Sequence, residues 1–331
     1  MTQRIPSDPP LPYDPMWNHL RFAVYRLNYR VTTPMLLPAY KGSVFRGALG
    51  QQLTRISEEV SAKVFQTQQA SWRREASGEQ PSPFLANLKE VPPPYVLEPP
   101  QTSQRFFEPG EMFGAHLILV GAAIDYLPFF VFALSEAGRG GMGSWIDNRR
   151  GTCFLETIDS LHGWEDESPV VIYSGQEKVL SDESVILTVE TIQSRVAVGD
   201  GCLLAFVTPT RLKVKGHLTI DLSFDVLLRA LMRRISALAY SYCGMDLFFS
   251  PQSLLSAARS IQPGQNTLFW FDWERHSKRQ DTTLLMGGFV GEIAFYGDLR
   301  PFEPFLRLGE FLHLGKGTSL GLGKYRIREG Q

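Results

Sequence analysis

The sequence predicts a protein of the α+β class that is built from two similar halves. Its 331 residues are 44% hydrophobic and 20% charged, a mixture typical of globular proteins and not of disordered or fibrous ones. At roughly 100–200 residues per domain, this length predicts two domains. A short internal duplication, in which a strand, a helix, a glycine-rich turn and a strand recur in the same order, predicts that the two domains share one architecture.

The duplication centres on the pattern D-x-x-P-F, which begins at Asp125 and again at Asp298. Each copy follows an apolar run typical of a strand and opens an amphipathic helix that ends in glycines. The first copy comprises a strand at 113–120, a helix at 127–137, the turn GRGGMG from Gly138 and a strand at 152–158. The second comprises a strand at 288–296, a helix at 301–314, the loop GKGTSLGLG from Gly315 and a strand at 324–328. Four features in the same order indicate a repeat.

Another helix, preceded by a strand, lies upstream of each copy. In the first half a strand is predicted at 21–32 and a helix at 41–56, whose apolar residues share one face. In the second half Ser223 is a typical N-cap residue, and Gly244 ends the helix. Each half then reads β-α-β-β-α-β, the ferredoxin-like arrangement, with two helices on one face of an antiparallel sheet. RNA-recognition motifs have the same topology.

Irregular segments set the predicted domain boundaries. Residues 1–17 are polar and rich in proline, and they predict an N-terminal tail. Residues 18–165 form the first predicted domain, with a proline- and glutamine-rich insertion at about 66–110. The acidic, turn-rich segment 164–183 precedes the second domain, 184–331, which carries the glycine-rich loop.

Charge and cysteine content limit the function classes. The net charge of −1 argues against a protein that coats nucleic acid over its whole surface. Residues 186–331, however, hold 17 Lys and Arg against 13 Asp and Glu, whereas residues 1–185 hold 16 against 21. A polyanion is therefore expected to bind the second half. Three distant cysteines predict neither a disulfide framework nor a zinc ribbon, and they favour a reducing cytoplasm.

One apolar segment, residues 117–134, approaches the length of a membrane span, but Asp125 and Pro128 interrupt it. We interpret it as a buried strand, a turn and a core helix with Pro128 in its first turn. The N-terminal segment lacks the pattern of a secretory signal peptide. We expect a soluble cytoplasmic protein that does not contact a membrane.

Seven blocks of the sequence together carry a resemblance to a known family. They are LPAYKGSVFRGALG, PPPYVLEPP, FEPGEMFGAHLILVG, GRGGMG, FVTPTRLKVKG, HSKRQ and the C-terminal run 287–327. In this order they resemble the CRISPR-associated endoribonucleases of the RAMP superfamily, which process precursor CRISPR RNA. The resemblance implies tandem ferredoxin-like domains, metal-independent cleavage within repeat RNA and, in many members, retention of the product. It implies no cofactor, CRISPR repeat RNA as the partner, and effector-complex subunits as further partners of a monomer or homodimer.

The glycine-rich loop is the first candidate RNA-binding element. Residues without a Cβ atom let backbone N–H groups approach an anion, and neighbouring lysines attract phosphate. The candidate residues are Gly315, Lys316, Gly317, Thr318, Ser319, Gly321, Gly323 and Lys324. In members of the family the corresponding loop contacts RNA. The alternative is a tight connection between a helix and a strand that needs glycine for its geometry alone.

A basic stripe is the second candidate. Arg211, Lys213 and Lys215 alternate with apolar residues, so on a strand they would share one face and suit an RNA backbone. The alternative is a solvated strand face.

Aromatic and basic residues interleave in the segment WFDWERHSKRQ. Trp270 and Trp273 could stack bases while His276, Lys278 and Arg279 hold phosphates, as single-stranded RNA binding requires. The alternative places one of the tryptophans in the core.

The catalytic residues are harder to predict. RNA supplies its own nucleophile, the 2′-OH, so cleavage needs a base, an acid and cations around the phosphate. Many members of the family place a histidine in or near the first helix. This chain has no histidine between His19 and His116, so that assignment does not transfer.

His313 is the replacement candidate, because it ends the last helix beside the glycine-rich loop. A helix C-terminus favours imidazolium by roughly 0.3–1 kcal/mol. The alternative is that His313 caps the helix and holds the loop, with His276 next in line for catalysis. Candidate auxiliary groups are Tyr40, Lys41 and Lys316, and Arg46 is a further candidate for RNA contact. No spacing typical of metal ligands is present, so no metal site is predicted.

Two other functions compete with the endoribonuclease. The missing N-terminal histidine favours a non-catalytic RAMP subunit that holds guide RNA in an effector complex. A scaffold that dimerises through an apolar face without binding RNA is the third hypothesis.

Overall fold

The structure, a computed structural model, describes residues 15–65, 68–69, 85, 90–192, 198–247, 249–277, 282–285 and 287–328. The main elements of the N-terminal half are β1 (Phe22–Val31), α1 (Gly42–Ile56), β2 (Tyr95–Glu98), β3 (Met112–Val120), α2 (Leu127–Gly140), β4 (Cys153–Leu161), β5 (Val170–Ser174) and β6 (Val179–Leu180). Those of the C-terminal half are β7 (Gly201–Thr210), β8 (Leu212–Val214), β9 (His217–Thr219), α3 (Phe224–Tyr242), α4 (Pro251–Ala258), β10 (Gln262–Asn266), β11 (Phe269–Phe271), β12 (Glu274–Ser277), β13 (Thr282–Leu285), β14 (Gly288–Tyr296), α5 (Glu303–Leu312) and β15 (Tyr325–Arg328).

Each half contains one large antiparallel sheet, beside shorter two-stranded pairs such as β8–β9. The N-terminal sheet has the strand order β6-β5-β4-β1-β3-β2. The C-terminal sheet has the order β10-β14-β7-β15, and β11 also pairs with β14. In both sheets the first strand therefore lies between the fourth and the third, and the second strand forms an edge, if the additional strands β5, β6 and β11 are left aside. The protein is a mixed α/β molecule with two large antiparallel sheets, as the sequence predicts.

The first part of the central strand β1 is buried on both faces. Ala23, Tyr25 and Leu27 point into a core shared with α1 and α2. Phe22 and Val24, on the opposite face, belong to a second core that contains α3 and α5 of the C-terminal half. Since alternate residues of a strand point to opposite faces, the apolar run at 22–25 must be covered on both. Further along β1 the second face carries the polar residues Arg26, Asn28 and Arg30.

Aromatic contacts join the halves across that second core. The ring centroids of Phe22 and Phe311 are 5.3 Å apart, and those of Trp17 and Phe305 are 4.9 Å apart. All four side chains are buried. The N-terminal sheet thus lies between its own helices and those of the C-terminal half, and this packing fixes one half against the other.

Most predicted elements agree with the structure to within a few residues. The strand predicted at 288–296 is β14, and the helix predicted at 41–56 is α1. The helix predicted at 301–314 is shorter: a 3₁₀ turn, Arg300–Phe302, leads into α5, and His313 has left the helix. The predicted apolar segment 117–134 becomes β3, a 3₁₀ helix and α2, with Pro128 in its first turn. Among the described residues no helix is long and apolar enough to span a bilayer.

The proline-rich insertion predicted at about 66–110 is partly wrong. Within it, Tyr95–Glu98 forms β2, the edge strand of the N-terminal sheet, and all four residues are buried. A strand buried on both faces lacks the alternation of polar and apolar residues that reveals a strand, and prolines flank it on each side. Residues 70–84 of the predicted insertion lie outside the described residues.

Candidate functional site

The glycine-rich loop, residues 313–324, connects α5 to β15. Four of its glycines have a positive backbone φ, in the left-handed region. Backbone φ is 82° at Gly315, 80° at Gly317, 81° at Gly321 and 79° at Gly323. A Cβ atom at Gly323 would lie 1.9 Å from the carbonyl oxygen of Leu314. The loop therefore requires glycine both for its dihedral angles and for close backbone contact.

The loop packs against the N-terminus of α1 in the other half of the molecule. The Tyr40 hydroxyl donates a hydrogen bond to the carbonyl oxygen of Leu320 at 2.7 Å, and Arg46 Nε donates to Ser319 Oγ at 3.1 Å. A Cβ atom on Gly42 would lie 2.0 Å from the Leu320 oxygen. Residues 40–46 and 319–320 thus form one contact surface, which we call the loop–helix junction.

A buried ion cluster lies beside this junction. Glu98, at the end of β2, accepts a hydrogen bond from Lys324 Nζ through Oε2 at 2.5 Å, and its Oε1 lies 2.8 Å from His313 Nε2. His116 Nδ1 lies 3.4 Å from Glu98 Oε2. The side chains of Glu98 and His313 are fully buried, and that of Lys324 nearly so. We call these four residues the Glu98 cluster.

The cluster sets the charge of its members. Burial raises the pKa of Glu98, but Lys324 and the two histidines act against burial and hold it well below its usual value, so the carboxylate is ionised. Burial lowers the pKa of Lys324, and the attraction of Glu98 opposes that change. Burial likewise lowers the pKa of His313, while its hydrogen bond to Glu98 acts in the opposite direction.

His313 adopts a backbone conformation that favours glycine. Its φ is 61° and its ψ is 175°. A residue with a side chain held in this region costs of order 1–3 kcal/mol and persists where its surroundings fix it. Here the surroundings are Glu98 at Nε2 and the carbonyl oxygen of Leu322, 3.0 Å from Nδ1.

Comparison with known families and structures identifies the chain. Residues 204–325 match the model of the CRISPR-associated endoribonuclease Cas6, and residues 20–185, half of the chain, match that of the N-terminal domain AF_1859_N. Residues 204–325 therefore belong to the Cas6 family of CRISPR-associated endoribonucleases, and residues 20–185 belong to the AF_1859_N family. None of the curated proteins compared with it matches.

Solved Cas6 structures share the fold at low sequence identity. A Cas6 product complex is 14% identical, with a TM-score of 0.55, over 93% of this chain and 100% of that one. Thermus thermophilus Cas6 is 14% identical, with a TM-score of 0.52, over 93% and 99%. A partial Cas6-RT-Cas1–Cas2 complex is 12% identical, with a TM-score of 0.56, over 93% of this chain and 46% of that longer chain.

In the structure the predicted loop residues fall into two groups. Lys316 is exposed, and Gly315 and Gly317 are half-buried, so the start of the loop is accessible to solvent. The rest of the loop differs from the prediction because it is buried between the halves. The buried members are Thr318, Ser319, Gly321, Gly323 and Lys324.

The structure places His313 where the alternative interpretation put it. The side chain is fully buried between Glu98 and the Leu322 carbonyl oxygen, away from solvent. Proton transfer by His313 stays a prediction, and the geometry favours a histidine that holds the loop.

Tyr40 and Lys41 do lie at the loop–helix junction. Lys41 is buried, and its Nζ donates to the carbonyl oxygen of Thr102 at 2.7 Å. Burial, together with the nearby Arg105, lowers the pKa of Lys41. Burial raises the pKa of Tyr40 well above its usual value, with a smaller contribution from Glu98.

The predicted basic stripe is not a single strand face. Arg211 and Lys213 are extended, but Lys215 has a φ of 48° and forms, with Gly216, the turn between β8 and β9. Lys213 and Lys215 are exposed at this hairpin. The turn was missed because Lys-Gly, unlike Asn-Gly, is a weak indicator of a two-residue hairpin.

Arg211 connects the hairpin to the glycine-rich loop. Its backbone carbonyl accepts a hydrogen bond from Lys316 N at 3.0 Å, and its guanidinium donates to the Gly287 carbonyl oxygen at 2.7 Å. Lys316 and the basic hairpin therefore belong to one surface.

The two tryptophans have different surroundings. One of them is in the core, as the alternative interpretation expected. Trp273 is buried against Leu320 and Leu322, with its ring 4.4 Å from that of Tyr40. Trp270 is partly exposed, and its Nε1 donates to Asp272 Oδ1. The backbone of His276 lies in β12, but its side chain is not described, and Lys278 and Arg279 lie outside the described residues.

Sequence reasoning missed Glu98 and Trp164. Trp164 stacks on Phe311 and lies against Lys324, whose Nζ is 4.5 Å from the ring centroid. A glutamate in the apolar strand YVLE was the one available indication of a buried charge. Among the described residues no group of three His, Cys, Asp or Glu is arranged to hold a metal ion.

Proposed function

We propose that this Cas6 family chain cuts precursor CRISPR RNA within its repeats, without a metal ion, by attack of a ribose 2′-OH on the adjacent phosphate. The observation that carries the proposal is the loop–helix junction. There a glycine-rich loop with an exposed start lies against the N-terminus of α1, beside Tyr40, Lys41 and Arg46. RNA supplies the nucleophile, so the protein must orient the strand and stabilise charge on the phosphate.

The RNA path runs over the C-terminal half. Three lysines, Lys213, Lys215 and Lys316, are exposed on one surface. The Arg211 carbonyl oxygen connects the hairpin that carries the first two to Lys316. Each phosphate contact by such a cation strengthens binding in a salt-dependent way. The partly exposed ring of Trp270 supplies a face on which a base can stack.

Lys41 is our candidate for proton transfer at the junction. Its lowered pKa makes the ammonium a better acid than an ordinary lysine, which suits protonation of the leaving 5′-oxygen. Its Nζ lies under the exposed residues 101–104, held by the Thr102 carbonyl oxygen. RNA must displace that segment to reach it.

We also assign both halves to the ferredoxin-like arrangement. The strand orders β4-β1-β3-β2 and β15-β7-β14-β10 support this assignment, because each follows the pattern fourth-first-third-second.

The test is cleavage of the cognate repeat RNA in EDTA. We expect one site of cutting, with a 5′-hydroxyl on one product and a 2′,3′-cyclic phosphate on the other. A substrate with a single 2′-deoxyribose before the scissile phosphate is the matched control and should stay intact. Cutting of the deoxy substrate, or cutting only when Mg²⁺ is added, contradicts the mechanism.

A second candidate function is repeat binding without cleavage. The burial of His313, together with the absence of any histidine from the described residues 40–56, favours it. Tight binding of repeat RNA, with no cutting in EDTA or Mg²⁺, would support this candidate over the nuclease.

A further inference from the structure

Glu98 contacts both ends of the glycine-rich loop. Its Oε1 lies 2.8 Å from Nε2 of His313, which opens the loop, and its Oε2 accepts from Nζ of Lys324, which closes it. Glu98 belongs to the N-terminal half, whereas both partners belong to the C-terminal half. One carboxylate therefore holds a ten-residue segment, 314–323, at its two ends and from the opposite half of the molecule.

Three members of the cluster, Glu98, His313 and Lys324, are shielded from water, and His116 is partly exposed. An ionised carboxylate buried without partners is strongly destabilising, and Glu98 has three basic neighbours to offset that cost. Trp164 covers the other side of Lys324 and also lies 4.0 Å from the Arg326 guanidinium. Removal of the carboxylate charge leaves Lys324 buried without its counter-ion.

Further hydrogen bonds pass this constraint on to the loop. Leu314 N donates to the Gly323 carbonyl oxygen at 2.9 Å, so the two ends of the loop are also tied to each other. Thr208 Oγ1 donates to the Gly321 carbonyl oxygen at 2.8 Å and accepts from Lys324 N at 2.9 Å. With these ends fixed, residues 319 and 320 meet Arg46 and Tyr40.

We infer that Glu98 is a positioning residue, which sets the glycine-rich loop against the N-terminus of α1 through His313 and Lys324. Its effect on cleavage rests on the proposed function, whereas its effect on the order of the loop does not. Glu98 touches no RNA in this scheme; it acts through the loop.

The experiment compares the wild type with Glu98→Gln, which keeps the shape of the side chain and removes its charge. Amide hydrogen exchange at residues 314–323 should accelerate by about tenfold or more, while amides in α3 keep their protection. At saturating repeat RNA the cleavage rate should fall by about 10²-fold, because the reacting groups are misplaced. The half-saturating RNA concentration should change by less than about threefold, since the exposed cations remain.

The matched control is Glu156→Gln, which removes the same charge from an ion pair between Glu156 of β4 and Arg30 of β1. It should leave both loop exchange and cleavage at wild-type values. Equal losses in the two variants would overturn the positioning role.

A double substitution tests whether Glu98 acts through Lys324. Lys324→Gln should slow cleavage, and Glu98→Gln combined with Lys324→Gln should be no slower than the slower single variant, because one interaction has been removed. Multiplied losses would overturn the assignment.

The outcomes separate this inference from the proposed function. If the wild type does not cut RNA, the proposed function fails, and loop exchange in Glu98→Gln still decides the inference. If Glu98→Gln does not fold, His313→Gln replaces it in the experiment. This variant keeps the ion pair between Glu98 and Lys324. Amide exchange in the loop of His313→Gln should be faster than in the wild type. A loop that stays as protected as in the wild type overturns the inference in either variant.

Discussion

His313 combines a strained backbone with a fully buried side chain. A neutral imidazole carries one N–H, yet Nδ1 faces a carbonyl oxygen and Nε2 faces a carboxylate, both of which only accept. The two contacts are both hydrogen bonds only when the ring is protonated, which burial opposes. The residue therefore couples the order of the loop to the pH.

This coupling predicts a pH dependence of stability. The pKa of His313 is lowered below 6.5 in the folded state, so below about pH 6.5 the unfolded chain binds more protons there. The free energy of unfolding should therefore fall on acidification, by at most about 1.4 kcal/mol per pH unit from this one group. Urea unfolding at pH 7.5 and 5.5 measures the change. His313→Gln should show a smaller loss than the wild type, and equal losses would contradict the prediction.

Substitution by alanine is expected to have opposite effects on stability at two glycine positions. Gly323→Ala places a Cβ atom 1.9 Å from the Leu314 oxygen at a φ of 79°, and it should destabilise by at least about 1–3 kcal/mol. Gly47→Ala, inside α1, meets no atom within 4 Å and should stabilise by roughly 0.5–1 kcal/mol. Thermal unfolding of both variants checks the signs. A stable Gly323→Ala protein would contradict the loop geometry.

At the level of elements, the hairpin β8–β9 and the start of the glycine-rich loop form the exposed basic surface. Lys213 and Lys215 stand on the hairpin, and the Arg211 carbonyl oxygen connects it to Lys316. The sequence indicated the charges and their closeness along the chain. It did not indicate the turn at Lys215, because a lysine at positive φ depends on the pairing of β8 with β9.

This surface predicts the salt dependence of RNA binding. Neutralising a lysine that contacts a phosphate lowers the slope of log affinity against log salt by about 0.7 for single-stranded RNA. Lys213→Gln and Lys215→Gln should each show this decrease in a titration from low to high salt. Lys178→Gln, at an exposed turn between β5 and β6, is the control and should keep the wild-type slope. An unchanged slope in the hairpin variants would place the RNA elsewhere.

At the level of the whole molecule, the two halves share one core. The face of the N-terminal sheet that holds Phe22 and Val24 is covered by helices of the C-terminal half. The N-terminal half has a core of its own on the other face of its sheet, but the core of the C-terminal half includes strands of the N-terminal sheet. Both halves are therefore expected to unfold together.

A core substitution at this boundary tests the shared core. Phe311→Ala removes a ring that contacts Phe22 and Trp164, and it should lower the free energy of unfolding by about 3–5 kcal/mol. Phe132→Ala, at an exposed position on α2, should change it by less than about 0.5 kcal/mol. Denaturation followed by fluorescence and circular dichroism should give one transition. Two separated transitions would show that the halves unfold independently.

Local sequence patterns were enough to predict the regular strands and helices, the repeat within the chain and the glycine-rich turns. These features depend on residues close together in the chain, whose spacing is visible in one dimension. The tertiary structure alone decided which buried charges meet. Glu98 and His313 are 215 residues apart, and nothing near either one specifies the other. It also decided which part of the loop is exposed, because burial depends on how one half packs against the other.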